Sequence, residues 1–75
     1  MKLPALKPQK VIKALQKAGC YETHRKGSHR FFKSSQGKTT VVPFHKGKDL
    51  GKGLLHDILK DVEISDEEFL KLLKK

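Results

Sequence analysis

Residues 20–44 read CYETHRKGSHRFFKSSQGKTTVVPF, and the pattern of this stretch decides the fold. Cys20 to Arg25 reads as a short strand, Lys26-Gly27 as a turn, and Ser28 to Lys33 as a second strand rich in aromatics, so these two strands form a hairpin. Ser34-Ser35-Gln36-Gly37 is another turn signal. Thr39 to Phe44 is then β-branched and aromatic, with Pro43 near its end, as suits an edge strand or a strand terminus. Three consecutive antiparallel strands follow. Alternation sends Phe31 and Phe32 to opposite faces, one buried under helices and the other at least partly available to solvent.

Outward from this stretch the period changes to that of a helix. Pro8 suits a first helical turn, and Val11, Leu15 and Ala18, with Ile12 beside them, fall on one side at helical spacing. Lys10, Lys13 and Lys17 lie within about 60° of one another on the opposite side, forming a lysine ridge, and Gly19 stands where a left-handed cap ends the run. On the other flank, Gly47 and Gly53 bracket a loop leading to Leu54, Leu55, Ile58 and Leu59, the apolar face of a second helix that covers the same sheet face as the first. Ser65 followed by Glu68 has capping-box spacing ahead of Phe69, Leu70, Leu72 and Leu73, which predicts a short third helix. The expected fold is α+β in the order α-β-β-β-α with an extra short C-terminal helix. Its three-stranded antiparallel sheet carries helices on one face and leaves the other open to a ligand.

The chain is 75 residues long, which predicts one domain over residues 1–75 with a modest core whose stability gains from a binding partner. A single cysteine, Cys20, excludes an intramolecular disulfide and a thiolate metal cage, and fits a reducing, cytoplasmic setting. Neither the N-terminal residues nor any other stretch has the apolar run of a signal peptide or membrane span. Charge is sharply uneven within the net +9. Residues 1–48 hold twelve of the 17 Lys and Arg against one acid, Glu22, whereas residues 49–75 hold five bases against seven acids. A basic part carrying +11 attracts polyanions, of which nucleic acid is the commonest for a small protein, although a solvated surface is the plainer alternative.

Several fragments together resemble the HicA toxin family, whose fold is similar to a double-stranded RNA-binding domain. They are Gly27-Ser28-His29 followed by Phe32; Val42-Pro43-Phe44-His45 with Gly47 and Leu50 behind; and Gly53-x-Leu55-x-x-Ile58-Leu59 running to Ile64-Ser65. The resemblance spans about residues 8 to 73. It implies a metal-independent endoribonuclease, an mRNA interferase, whose essential residue is the histidine of the Gly-Ser-His motif, here His29. It also implies a HicB-like antitoxin that covers the catalytic face, so that the chain is a monomer when free and a hetero-oligomer with its antitoxin. The chain departs from the family at Leu54, where threonine is usual, and in the turn from Ser34 to Lys38, which lacks a frequent Pro-Asp-Gly.

Cutting RNA without a cofactor requires a base for the 2′-hydroxyl proton, a cation for charge at phosphorus, and an acid for the leaving oxygen. Histidine, with a reference pKa of about 6.5, can act as that base, and nearby cations favour its neutral, proton-accepting ring. Arg25, Lys26 and Arg30 are the nearest cations in sequence and can also hold the flanking phosphates. Lys46 and Lys48 follow His45, the second-ranked histidine, and the Lys10, Lys13 and Lys17 ridge can track an RNA backbone. The acid stays open among Lys26, Tyr21, another histidine and a returning His29. Phe31, Phe32 and Phe44 can stack on unpaired bases or belong to the core. No paired ligand spacing among Cys20, His24 and His29 indicates a metal site.

The alternative function is a noncatalytic RNA-binding module of the same fold, in which His29 contacts only phosphate or base. A helix-turn-helix DNA binder ranks last, because three strand-like segments separate the helices.

Overall fold

A computed structural model of the chain describes Leu3, residues 5–45 and residues 47–74. In chain order they form α1 (Pro8–Lys17), β1 (Tyr21–Lys26), β2 (His29–Lys33), β3 (Thr39–Pro43), α2 (Lys52–Asp61) and α3 (Asp66–Leu73). The strands make one antiparallel sheet in the order β1-β2-β3, with the helices on one face, as the pattern of the sequence predicts. No helix is long and apolar enough to cross a membrane among the described residues.

Local chemistry explains where the helices begin and end. Pro8 occupies the first turn of α1, where its missing N–H removes a donor that has no helical partner. At the other end, Gly19 takes a φ of +96° while its N–H donates to Gln16 O and the Cys20 N–H donates to Leu15 O, which is the paired bonding of a Schellman cap. The same cap closes α2 with a less suited residue, since Glu63 adopts φ +59° as Ile64 N–H reaches Leu59 O. Ser65 caps α3 by accepting from Glu68 N–H at 3.1 Å, and Asp66, Glu67 and Glu68 place negative charge at the positive end of the helix dipole.

The core lies between the helices and the covered sheet face. Phe32 and Val42 have no exposed surface, and they meet a helical layer whose fully buried side chains include Val11, Leu15, Leu55 and Phe69. Burial of such groups supplies the driving force for folding, at about 25 cal/mol per Å² of apolar surface. The buried polar group on this face, Thr40, has its Oγ1–H directed to Asp61 Oδ2 at 3.0 Å, tying β3 to the last residue of α2.

Five details differ from the pattern of the sequence. The β1–β2 turn is Gly27-Ser28 rather than Lys26-Gly27, so Lys26 ends β1 and His29 begins β2. Gly27 has φ +59°, and a glycine at the first of two loop residues matches the twist of the flanking strands. Cys20 is buried in the α1 cap instead of opening β1, and Phe44 lies just past β3. Gly53 falls inside α2, because Gly51 serves as the N-cap, and Leu54 points to solvent at 39% exposure because it sits off the stripe formed by Leu55, Ile58 and Leu59.

Candidate nucleic-acid interface

Strand alternation sorts the basic residues by face. On β2, Phe32 is buried under the helices, which sends His29, Phe31 and Lys33 to the open face and Arg30 to the covered one. Lys26 pairs with His29 and His24 pairs with Phe31, so both belong to the open face, whereas Arg25 pairs with Arg30 and belongs to the other. Of the three cations nearest His29 in sequence, the fold therefore leaves Lys26 beside it. Arg25 is also engaged elsewhere, donating from Nε to Glu22 Oε2 at 2.7 Å. Arg30 lies 4.0 Å above the Phe44 ring, a cation–π contact.

His29 is exposed at the hairpin end of the sheet. Its β3 partner is Pro43, and beyond this pair the Phe44 N–H donates to Ser28 O at 2.6 Å. These links hold the Gly27-Ser28-His29 segment between Lys26 on one side and the exit of β3 on the other. His45 follows that exit and is exposed. Lys48 is exposed in the next loop, while Lys46 lies outside the described residues. The loop is anchored by Leu6 and Leu50, which bond in both directions, and by the Lys7–Asp49 ion pair at 3.7 Å.

Lys10, Lys13 and Lys17 do line up, as the helical spacing predicts, but in the helical layer rather than on His29's face. Together with Ala14, Leu72 and Leu73 they line a groove between α1 and α3, where Lys17 Nζ donates to Leu72 O at 3.4 Å. His56 pairs with Asp66 at 3.7 Å, joining α2 to α3. Among the described residues no group of three or more His, Cys, Asp or Glu side chains is placed to hold a metal ion.

The sequence reading missed a β-bulge in β1. Glu22 pairs with Phe32 and His24 with Phe31, leaving Thr23 as the extra residue. The Thr23 hydroxyl donates to Phe31 O at 3.2 Å, and its oxygen lies 3.2 Å from His24 Nδ1. With its hydrogen directed at the carbonyl, that oxygen accepts from Nδ1–H and leaves Nε2 as the ring's remaining polar atom. The His24 ring stacks on Phe31 with centroids 4.1 Å apart and planes 9° from parallel. A threonine flanked by polar residues gives no one-dimensional sign of a bulge, because the strand pattern is equally compatible with strict alternation.

Comparison with known proteins bears on the family of the chain. A family model described as the HicA toxin of bacterial toxin–antitoxin systems matches residues 8–64, from the start of α1 past the end of α2. The chain is also similar to a probable mRNA interferase HicA of Pseudomonas fluorescens (strain Pf0-1), with 46% identity over 41 residues, covering 55% of this chain and 67% of that relative. The family match takes in the whole sheet and the Gly27-Ser28-His29 turn, and the chain belongs to the HicA toxin family.

Proposed function

We propose that this chain is a metal-independent endoribonuclease that cuts messenger RNA through His29 and is neutralised by a HicB-like antitoxin covering the catalytic face. The observation that carries the reading is the pairing of Lys26 with His29 on an exposed sheet face, within a chain that belongs to a toxin family. The similar Pseudomonas protein, named as a probable mRNA interferase, supports messenger RNA as the substrate class.

In this mechanism neutral His29 removes the 2′-hydroxyl proton, and the 2′-oxygen attacks the adjacent phosphorus. The bond from phosphorus to the 5′-oxygen breaks, that oxygen receives a proton, and the products are a 2′,3′-cyclic phosphate and a 5′-hydroxyl end. Lys26, across the strand pair, stabilises negative charge at phosphorus and binds the phosphate electrostatically. Exposure of His29 lets a long RNA reach it without threading into a pocket. It also leaves the residue accessible to an antitoxin, whose acidic groups would give fast, salt-sensitive association with the basic face.

Induced expression in bacteria tests this reading. Wild type should arrest growth and deplete messages, His29→Ala should do neither, and co-expression of the protein encoded beside this chain should restore growth. Equal arrest by both forms would refute the assignment of His29.

A further inference from the structure

The bulge at Thr23 has a geometric consequence for the open face. Under strict alternation Tyr21 and His24 would lie on opposite sides of β1, since they are three residues apart. The extra residue brings them to the same side: Tyr21 pairs with Lys33, His24 with Phe31 and Lys26 with His29, all on the face away from the helices. Tyr21 is 52% exposed, so its ring is available on this face. Among the described residues paired on this face in β1 and β2, Tyr21, His24, Lys26, His29, Phe31 and Lys33, there is no acid; Glu22, the acid of β1, pairs with Phe32 and is bound to Arg25.

We propose that this face is a single-stranded RNA subsite, in which unpaired bases next to the cleaved bond stack on Tyr21 and on the outer side of the His24–Phe31 pair while Lys26 and Lys33 bind the phosphates. The proposal rests on the ribonuclease reading and specifies which RNA that site takes. Phe31 is two residues from His29, about 7 Å along an extended strand, within reach of a neighbouring nucleotide. The His24–Phe31 stack runs across the strands, and His24 forms its outer end because β1 is an edge strand. His24 is fixed in place by Thr23 and Phe31, so a base adding to the stack meets a ring already held in position. Stacking is tolerant of base identity and favours single strands, whose π-faces are available, over duplexes, whose faces are occupied by neighbouring bases. The other two aromatics considered for stacking are committed elsewhere, since Phe32 is fully buried and Phe44 packs against Arg30.

The test uses the full chain carrying His29→Ala, so that RNA is bound without being cut, with a single-stranded octamer containing 2-aminopurine as the probe. The octamer should bind about tenfold tighter than a duplex of the same sequence and its fluorescence should be quenched, and adding Tyr21→Ala or His24→Ala should weaken binding by roughly tenfold and relieve the quenching. Thermal unfolding of each variant verifies that the fold is kept, and Tyr21→Phe, which retains the ring, should bind as the parent does. Equal affinity for duplex, or variants that change neither affinity nor quenching, would overturn the subsite. The same holds if only the antitoxin, and no RNA, protects this face. Cleavage of the octamer by the chain with native His29 is measured in parallel. Cleavage without stacking refutes the subsite alone, whereas stacking without cleavage refutes the ribonuclease reading and leaves a base-stacking RNA face with no cleaved bond beside it.

Discussion

Lys26 and His29 face each other across the first pair of the β1–β2 hairpin, separated in sequence only by Gly27 and Ser28. Arg25 and Arg30, each one residue further from the turn, form the next pair and lie on the opposite face. Lys26→Ala should therefore reduce RNA cleavage on the order of tenfold and lower the slope of log affinity against log salt by about 0.7, the share of one phosphate contact on a single strand. Arg25→Ala should change neither by more than about twofold. Cleavage rates and binding at several salt concentrations distinguish the two variants.

The turn itself constrains what can replace Gly27. Its φ of +59° is costly for a side chain, while a methyl group added there meets no atom within 4 Å, so the penalty of Gly27→Ala comes from the backbone. It should be about 1 kcal/mol, seen as a lower midpoint in thermal or urea unfolding. Glu63 presents the reverse case, a non-glycine residue in a left-handed cap whose ion pair with Lys38 is solvent-exposed and contributes little. Glu63→Gly should stabilise the chain by roughly 0.5–1 kcal/mol in the same measurement.

Phe31 and Phe32 illustrate how far the sequence could be read. Their adjacency within a strand requires opposite faces, and the amphipathic helices require one face to be covered, so the α+β order, the open face and the burial of one phenylalanine all follow from periodicity. The bulge at Thr23 does not follow. It goes with a hydrogen bond from the Thr23 hydroxyl to Phe31 O on the neighbouring strand, a cross-strand contact that alternation along β1 does not reveal. Arg25 shows the same limit at the site, because proximity in sequence to His29 says nothing of the face until the turn is placed to within one residue.

Phe32→Ala should remove about 3–5 kcal/mol, enough to unfold much of the population of so small a domain, whereas Phe31→Ala, on the half-buried open side, should cost clearly less. Circular dichroism during urea titration provides the comparison.

Burial raises the pKa of the Cys20 thiol. The folded chain then keeps this proton at pH values where the unfolded chain releases it, so the stability difference is absent well below the ordinary thiol range near 8.5 and stability falls as pH rises through that range. Urea unfolding should show a decline between neutral pH and about pH 9.5 that is smaller in Cys20→Ala. A thiol reagent should modify native Cys20 much more slowly than the unfolded chain, since the group is buried.

Metal-free cleavage by His29 is tested by incubating purified wild type and His29→Ala with messenger RNA in excess EDTA while RNA binding of both is measured. Wild type should cut, leaving 2′,3′-cyclic phosphate ends, and His29→Ala should bind with similar affinity but leave the RNA intact. Binding by both forms with cleavage by neither would contradict this role of His29 and identify the chain as a noncatalytic RNA-binding module.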